Sequence, residues 1–129
     1  MDFMIRYHPH QNVYFNFLAS RQAEYDFELD YWGNSYKQAL EFLLKFQAEG
    51  PVRLNVENFS GEINQMAIDP KKRERLRYTS LQEADYFIFN HRFMGPHGRF
   101  LKKEYPYSAP EIFSIAVQDS TIVRVYKLK

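Results

Sequence analysis

Four consecutive large apolar residues, Tyr86-Phe87-Ile88-Phe89, stand between Ala84-Asp85 on one side and Asn90 on the other. Successive side chains of a strand point to opposite faces, so an unbroken apolar run needs cover on both sides. That places this stretch in the middle of a partly parallel sheet. The remaining segments fit around it. Tyr25, Phe27, Leu29 and Tyr31 alternate with Asp26, Glu28 and Asp30, the period of a half-buried strand. Val52-Arg53-Leu54-Asn55-Val56 alternates in the same way, and Ile112–Val117 and Thr121–Leu128 flank a Gln118-Asp119-Ser120 turn as a closing hairpin. Lys127 and Lys129 are the charges expected to guard a last strand lying at a sheet edge.

Between the first two strands the apolar positions change to helical spacing. Tyr36, Ala39, Leu40, Leu43 and Leu44 fall on one face, and Gly50-Pro51 ends the run. The passage into this helix is Trp32-Gly33-Asn34-Ser35. Gly33 tolerates backbone angles that a side chain forbids, and Asn34 or Ser35 is the expected N-cap. A second strand-to-helix passage is expected after Val56, with Ser60 as cap and the helix reaching about Ile68. Asp69-Pro70 then opens a short helix through Arg77. Ser80-Leu81-Gln82-Glu83 has capping-box spacing, residues 91–98 read as a loop, and Tyr105–Pro110 reads as an extended connector. The order β-α-β-α-α-β-β-β predicts an α/β fold: a mixed, partly parallel sheet of about five strands with helices packed on it.

A chain of 129 residues without an internal linker reads as one domain. Its net charge of +1 gives no global field for a polyanion. Five of the seven residues from Lys71 to Arg77 are basic, which reads as a solvated helix face; no nucleic-acid partner is expected. Cysteine is absent, which removes disulfides and thiolate metal sites. The four histidines, His8, His10, His91 and His97, lack a metal-ligand spacing, and neither a metal nor a cofactor is expected. No apolar run reaches the roughly 18 residues of a membrane span, so the chain reads as soluble. Aromatic residues make up 18% of the chain, an excess that suits a ring-filled core and also wet or sugar-facing surfaces.

Ligands of open α/β sheets sit where strands end. Parallel strands ending near Tyr31, Val56 and Phe89 would gather Asp30, Trp32 and Asn34 with Asn55 and Asn58, and with Asn90 and Arg92. Carboxylate and amides match hydroxyl pairs, a guanidinium matches phosphate, and an indole face covers the C–H side of a sugar. Asp30, Trp32, Asn34, Asn90 and Arg92 are therefore the candidate ligand-binding residues. Asp and Asn are equally the ordinary residues of turns and caps. No nucleophile motif, phosphate-cradling glycine loop or paired-carboxylate pattern is present, so no catalytic residue is assigned.

Three segments also carry a resemblance. His8-Pro9-His10-Gln11-Asn12-Val13-Tyr14-Phe15-Asn16, then Asp30-Tyr31-Trp32-Gly33-Asn34-Ser35-Tyr36-Lys37-Gln38-Ala39-Leu40, then Ala84–Asn90 with the final hairpin, follow one another in a familiar order. They resemble the carboxy-terminal tail of multi-spanning membrane glycosyltransferases of the dolichyl-phosphate-mannose-protein mannosyltransferase type. Ala19-Ser20 stands where that pattern has a Gly-Gly step, and His10 where it has an aromatic residue. The resemblance implies an extracytoplasmic (periplasmic) domain excised from the end of a larger membrane protein, non-catalytic by itself, because the family's catalytic acid lies in an upstream loop. The parent would use a polyprenyl-phosphate-sugar donor. The domain's partners would be the membrane-embedded part of that enzyme and a glycan, lipid-linked or protein acceptor, with Phe3–Tyr7 at the membrane exit. The alternative is a freestanding soluble module that binds a sugar or nucleotide in the strand-exit crevice.

Overall fold

The computed structural model describes residues 5–6, 8–10, 30, 32–90 and 104–129. The expected strand Tyr25–Tyr31 and the expected loop 91–98 lie outside these residues. The elements are α1 (Asn34–Phe46), β1 (Val52–Val56), α2 (Phe59–Ile63) running into a 3-10 turn (Asn64–Ala67), α3 (Pro70–Arg73), β2 (Leu76–Tyr78), β3 (Tyr86–Asn90), β4 (Glu111–Val117) and β5 (Ser120–Lys127). They build the α/β fold with a mixed five-stranded sheet in the order β2-β1-β3-β5-β4. Strands β2, β1 and β3 run parallel, while β5 is antiparallel to both β3 and β4.

The apolar run of β3 occupies the centre of the sheet, and all five of its residues are buried. Its two faces have different covers. Tyr86 and Ile88 share a core with Leu54, Val123 and Val125, roofed by Tyr36, Ala39, Leu40, Leu43 and Leu44 of α1. The helical spacing of those five positions therefore records one continuous buried stripe. Phe87 and Phe89 point the other way, onto Tyr126, Tyr105 and Tyr107. The ring centroids of Phe87 and Tyr105 are 4.8 Å apart, and those of Phe89 and Tyr107 are 5.3 Å apart and edge-on. Part of the aromatic excess is used here, where, among the described residues, rings rather than a helix cover this sheet face.

Several local expectations are corrected by long-range pairing. The helix opened by Asp69-Pro70 ends at Arg73, and Leu76–Tyr78 is strand β2, in register with Val52–Leu54. Ser80–Glu83, with its capping-box spacing, forms a single turn ahead of β3, in which Glu83 and Ala84 both donate to the Ser80 carbonyl. Tyr105–Pro110 is turned: Tyr107 N–H donates to Tyr105 O and Ala109 N–H to Pro106 O, which delivers both tyrosine rings to the sheet. The last strand is not an edge. β5 lies between β3 and β4, so Lys127 and Lys129 guard no edge there, and among the described strands the outermost are β2 and β4.

Candidate functional site

A polar cluster lies at the carboxyl ends of β1 and β3, under the first turn of α1. Asp30 precedes it in a left-handed backbone conformation (φ 48°), and its carbonyl accepts from Gly33 N–H at 2.7 Å to close a tight turn. Gly33 is also left-handed (φ 69°). A side chain there would place its Cβ 2.6 Å from Ser60 Cβ and 3.0 Å from Tyr36 Cδ2, so glycine is required both by backbone angle and by space.

The helix cap differs from expectation. Neither Asn34 nor Ser35 caps α1, and Gly33 stands at the N-cap position without a side chain to offer. The acceptor is the Asp30 carboxylate. Its Oδ2 takes the Ser35 backbone N–H at 3.1 Å and the Ser35 hydroxyl in a short hydrogen bond. A carboxylate at this position also faces the positive end of the helix dipole. The same replacement occurs at α2: Asn58, not Ser60, is the cap, accepting from Ser60 N–H at 3.1 Å.

Asn90 ties the three elements together. Its Nδ2 donates to the Asp30 carbonyl at 3.2 Å, while its Oδ1 accepts from Asn58 Nδ2 at 2.6 Å and from the Tyr36 hydroxyl at 3.4 Å. Asp30 is 2% exposed, and Ser35, Tyr36 and Asn90 are fully buried. Burial pushes the Asp30 carboxyl above its ordinary value, a displacement opposed by the Ser35 hydrogen bonds, the Asn90 amide and the nearby His10. Burial likewise pushes the Tyr36 hydroxyl well above its ordinary range, with Glu57 and Asp30 adding to the effect, so it acts as a neutral donor. His10, also buried, reaches Gln38 of α1 with Nε2 at 3.1 Å. Two atoms of this interior, Asp30 Oδ1 and His10 Nδ1, are buried without a hydrogen-bond partner.

The sequence-derived candidates are thus divided. Asp30 and Asn90 come together with Asn58, as parallel exits of β1 and β3 require, but they meet inside the protein. Asn34 is exposed at the start of α1 and makes none of the cluster's hydrogen bonds. Asn55 is directed elsewhere, its Nδ2 donating to Thr79 O at 2.8 Å beside β2. Arg92 lies outside the described residues. Trp32 is 71% exposed, and its carbonyl accepts from Asn64 Nδ2 at 3.1 Å. The acid and the indole of one turn therefore do different work: Asp30 locks the turn from within, and Trp32 presents its ring outward.

Residues that local reading missed are Ser35 as a donor to Asp30, and Tyr36, whose helical spacing marks its ring but not its hydroxyl. A cavity of about 280 Å³ lies at the other end of α1, lined by Glu41, Leu44, Lys45, Ile68, Asp69, Lys72 and Arg75. Its Arg75 is committed to the end of the helix, donating to the carbonyls of Leu44, Gln47 and Gly50. Among the described residues no group of His, Asp or Glu is placed to hold a metal ion, and no helix is long and apolar enough to cross a membrane.

No family model matches the chain, and no curated protein or solved structure matches it either.

Proposed function

We propose that the chain is a non-catalytic, extracytoplasmic accessory domain of a membrane glycosyltransferase that uses a polyprenyl-phosphate-sugar donor. The observation that carries this reading is the use made of the Asp30–Gly33 turn. In the sequence, that turn is the most specific part of the resemblance. In the fold, its acid is consumed as a buried helix cap and its Trp is displayed. A buried carboxylate with its Oδ2 occupied by Ser35 is not placed to act on a substrate at the surface. The domain then contributes a shaped surface, positioning an acceptor or bracing the membrane-embedded part, while the parent's catalytic acid lies elsewhere.

The coding DNA immediately upstream of Met1 tests this reading. Continuous reading frame encoding several membrane spans, with an acid in the first extracytoplasmic loop, is the expected result. A frame that starts at Met1 with no such spans before it overturns the reading.

A second reading, a freestanding module for a sugar or nucleotide, draws on the exposure of Trp32, since an outward indole suits the apolar face of a sugar. Trp32 is the only Trp in the chain, so its emission reports that surface directly. Saturable quenching or a spectral shift with a monosaccharide, oligosaccharide or nucleotide supports this second reading; a flat titration with all three removes it.

A further inference from the structure

Four large apolar side chains beside the locked turn are turned to solvent. Phe59, Ile63 and Met66 recur at i, i+4 and i+7 along α2 and its 3-10 turn and are 69%, 53% and 68% exposed; Trp32 is 71% exposed. Asn64 joins the two parts, donating from Nδ2 both to Trp32 O at 3.1 Å and to Ser60 O at 2.8 Å. The next element, α3, adds positive charge. Arg73 Nη1 lies 3.2 Å from Met66 Sδ, and Lys71 and Lys72 are exposed and form no ion pair with a described residue, Lys72 also lining the cavity that holds Glu41 and Asp69. Of the nearby acids, Asp69 is engaged as the cap of α3, accepting from Lys71 N–H and Lys72 N–H.

We propose that this face, Trp32, Phe59, Ile63 and Met66 with Lys71, Lys72 and Arg73 at its rim, docks on an anionic lipid surface. Apolar side chains enter the headgroup region while adjacent cations meet lipid phosphates, the two contributions that hold an amphipathic surface at an interface. The charge selects this occupant. A second copy would meet the patch with its own Lys71, Lys72 and Arg73, because a two-fold interface pairs a patch with itself. The proposal rests on the accessory-domain reading for its biological setting and adds to it the face turned towards the bilayer.

The 129-residue chain is tested by co-sedimentation with phosphatidylcholine vesicles with and without phosphatidylglycerol, together with Trp32 emission. Binding and a blue shift are expected only with the anionic vesicles, and they weaken as salt is raised. Lys71→Gln with Lys72→Gln weakens binding on the order of 30-fold, from the usual contribution of a lysine near an anionic surface. Phe59→Ser with Met66→Ser abolishes binding and the blue shift. All four positions are exposed, so a circular-dichroism melt unchanged from wild type shows that the variants remain folded. No sedimentation with anionic vesicles at low salt, equal binding to neutral ones, or binding undiminished in either double variant overturns the proposal. The upstream coding DNA answers the accessory-domain question separately, so failure of one is distinguishable from failure of the other.

Discussion

Replacing Asp30 by alanine separates a structural lock from a ligand site. The substitution removes the acceptor of Ser35 N–H and of the Ser35 hydroxyl, both inside the protein. The hydroxyl can turn to another partner, but the backbone N–H cannot move, and a buried donor left unsatisfied costs about 1–3 kcal/mol. Alanine must also hold the left-handed conformation that Asp30 adopts at φ 48°, at a cost of roughly 1–2 kcal/mol. Together these give a loss of about 2–5 kcal/mol. For a domain of this size about 4 °C of Tm accompanies each kcal/mol, so Tm falls by roughly 8–20 °C. Far-UV circular dichroism during urea unfolding is the suitable assay, because Trp32 is already exposed in the native state and its emission is a poor measure of unfolding. The midpoint should fall with an unchanged slope. A loss below about 1 kcal/mol would refute the reasoning, since a residue kept for binding can be removed with little loss, or even a gain, of stability. Ser35→Ala supplies the control: Asp30 and Ser35 share one hydrogen-bonded unit, so the double variant should lose less than the sum of the two single losses.

Other consequences follow from the same cluster. Gly33→Ala should cost about 2–4 kcal/mol, combining the left-handed backbone with a Cβ 2.6 Å from Ser60 Cβ, whereas Gly50→Ala, at φ 75° with nothing within 4 Å, should cost only the backbone part, about 1–2 kcal/mol. Equal losses in the two urea titrations would show that α2 does not press on the turn. Asn90→Ala removes a donor to Asp30 O and an acceptor for Asn58 and Tyr36, and should destabilise by about 2–4 kcal/mol; hydrogen exchange at the first turn of α1 should quicken along with it. The pH dependence has a definite sign. Burial holds the Asp30 carboxyl above its unfolded value of 3.8, so the native state binds the proton more tightly. Its contribution is fully present below 3.8 and is lost as pH rises through the higher native value. The stability difference between wild type and Asp30→Asn, measured by urea unfolding from acid to neutral pH, should therefore shrink as pH rises through that window. A difference that grows would mean the carboxyl lies below its ordinary range.

How much of this was legible depends on the range of the interaction. The helical spacing of α1, the alternation of β1, the continuous apolar run of β3 and the turn between β4 and β5 were all readable. In each, one periodicity expresses one buried face. The candidate site was legible only as a gathering of residue types at strand exits. Asp30, Asn58 and Asn90 do meet, because β1 and β3 are parallel neighbours. Whether they face water or the interior is not written in their spacing, since a short polar side chain serves a ligand or a cap with the same atoms.

The sequence by itself determined the α/β class, the central buried strand and the need for Gly33 at the turn, because backbone geometry and alternating burial act over a few residues. Only the tertiary structure decided the rest. Leu76–Tyr78 carries too little apolar pattern to declare a strand and becomes one by pairing with Val52–Leu54. Asp30 became the cap of α1 because the turn folds its carboxylate back onto Ser35, and Asn90 became the tie among three elements because β3 ends beneath them. In the same turn Trp32 was left outside. Hydrogen bonding and burial between distant segments separated an acid and an indole that stand two residues apart in the chain.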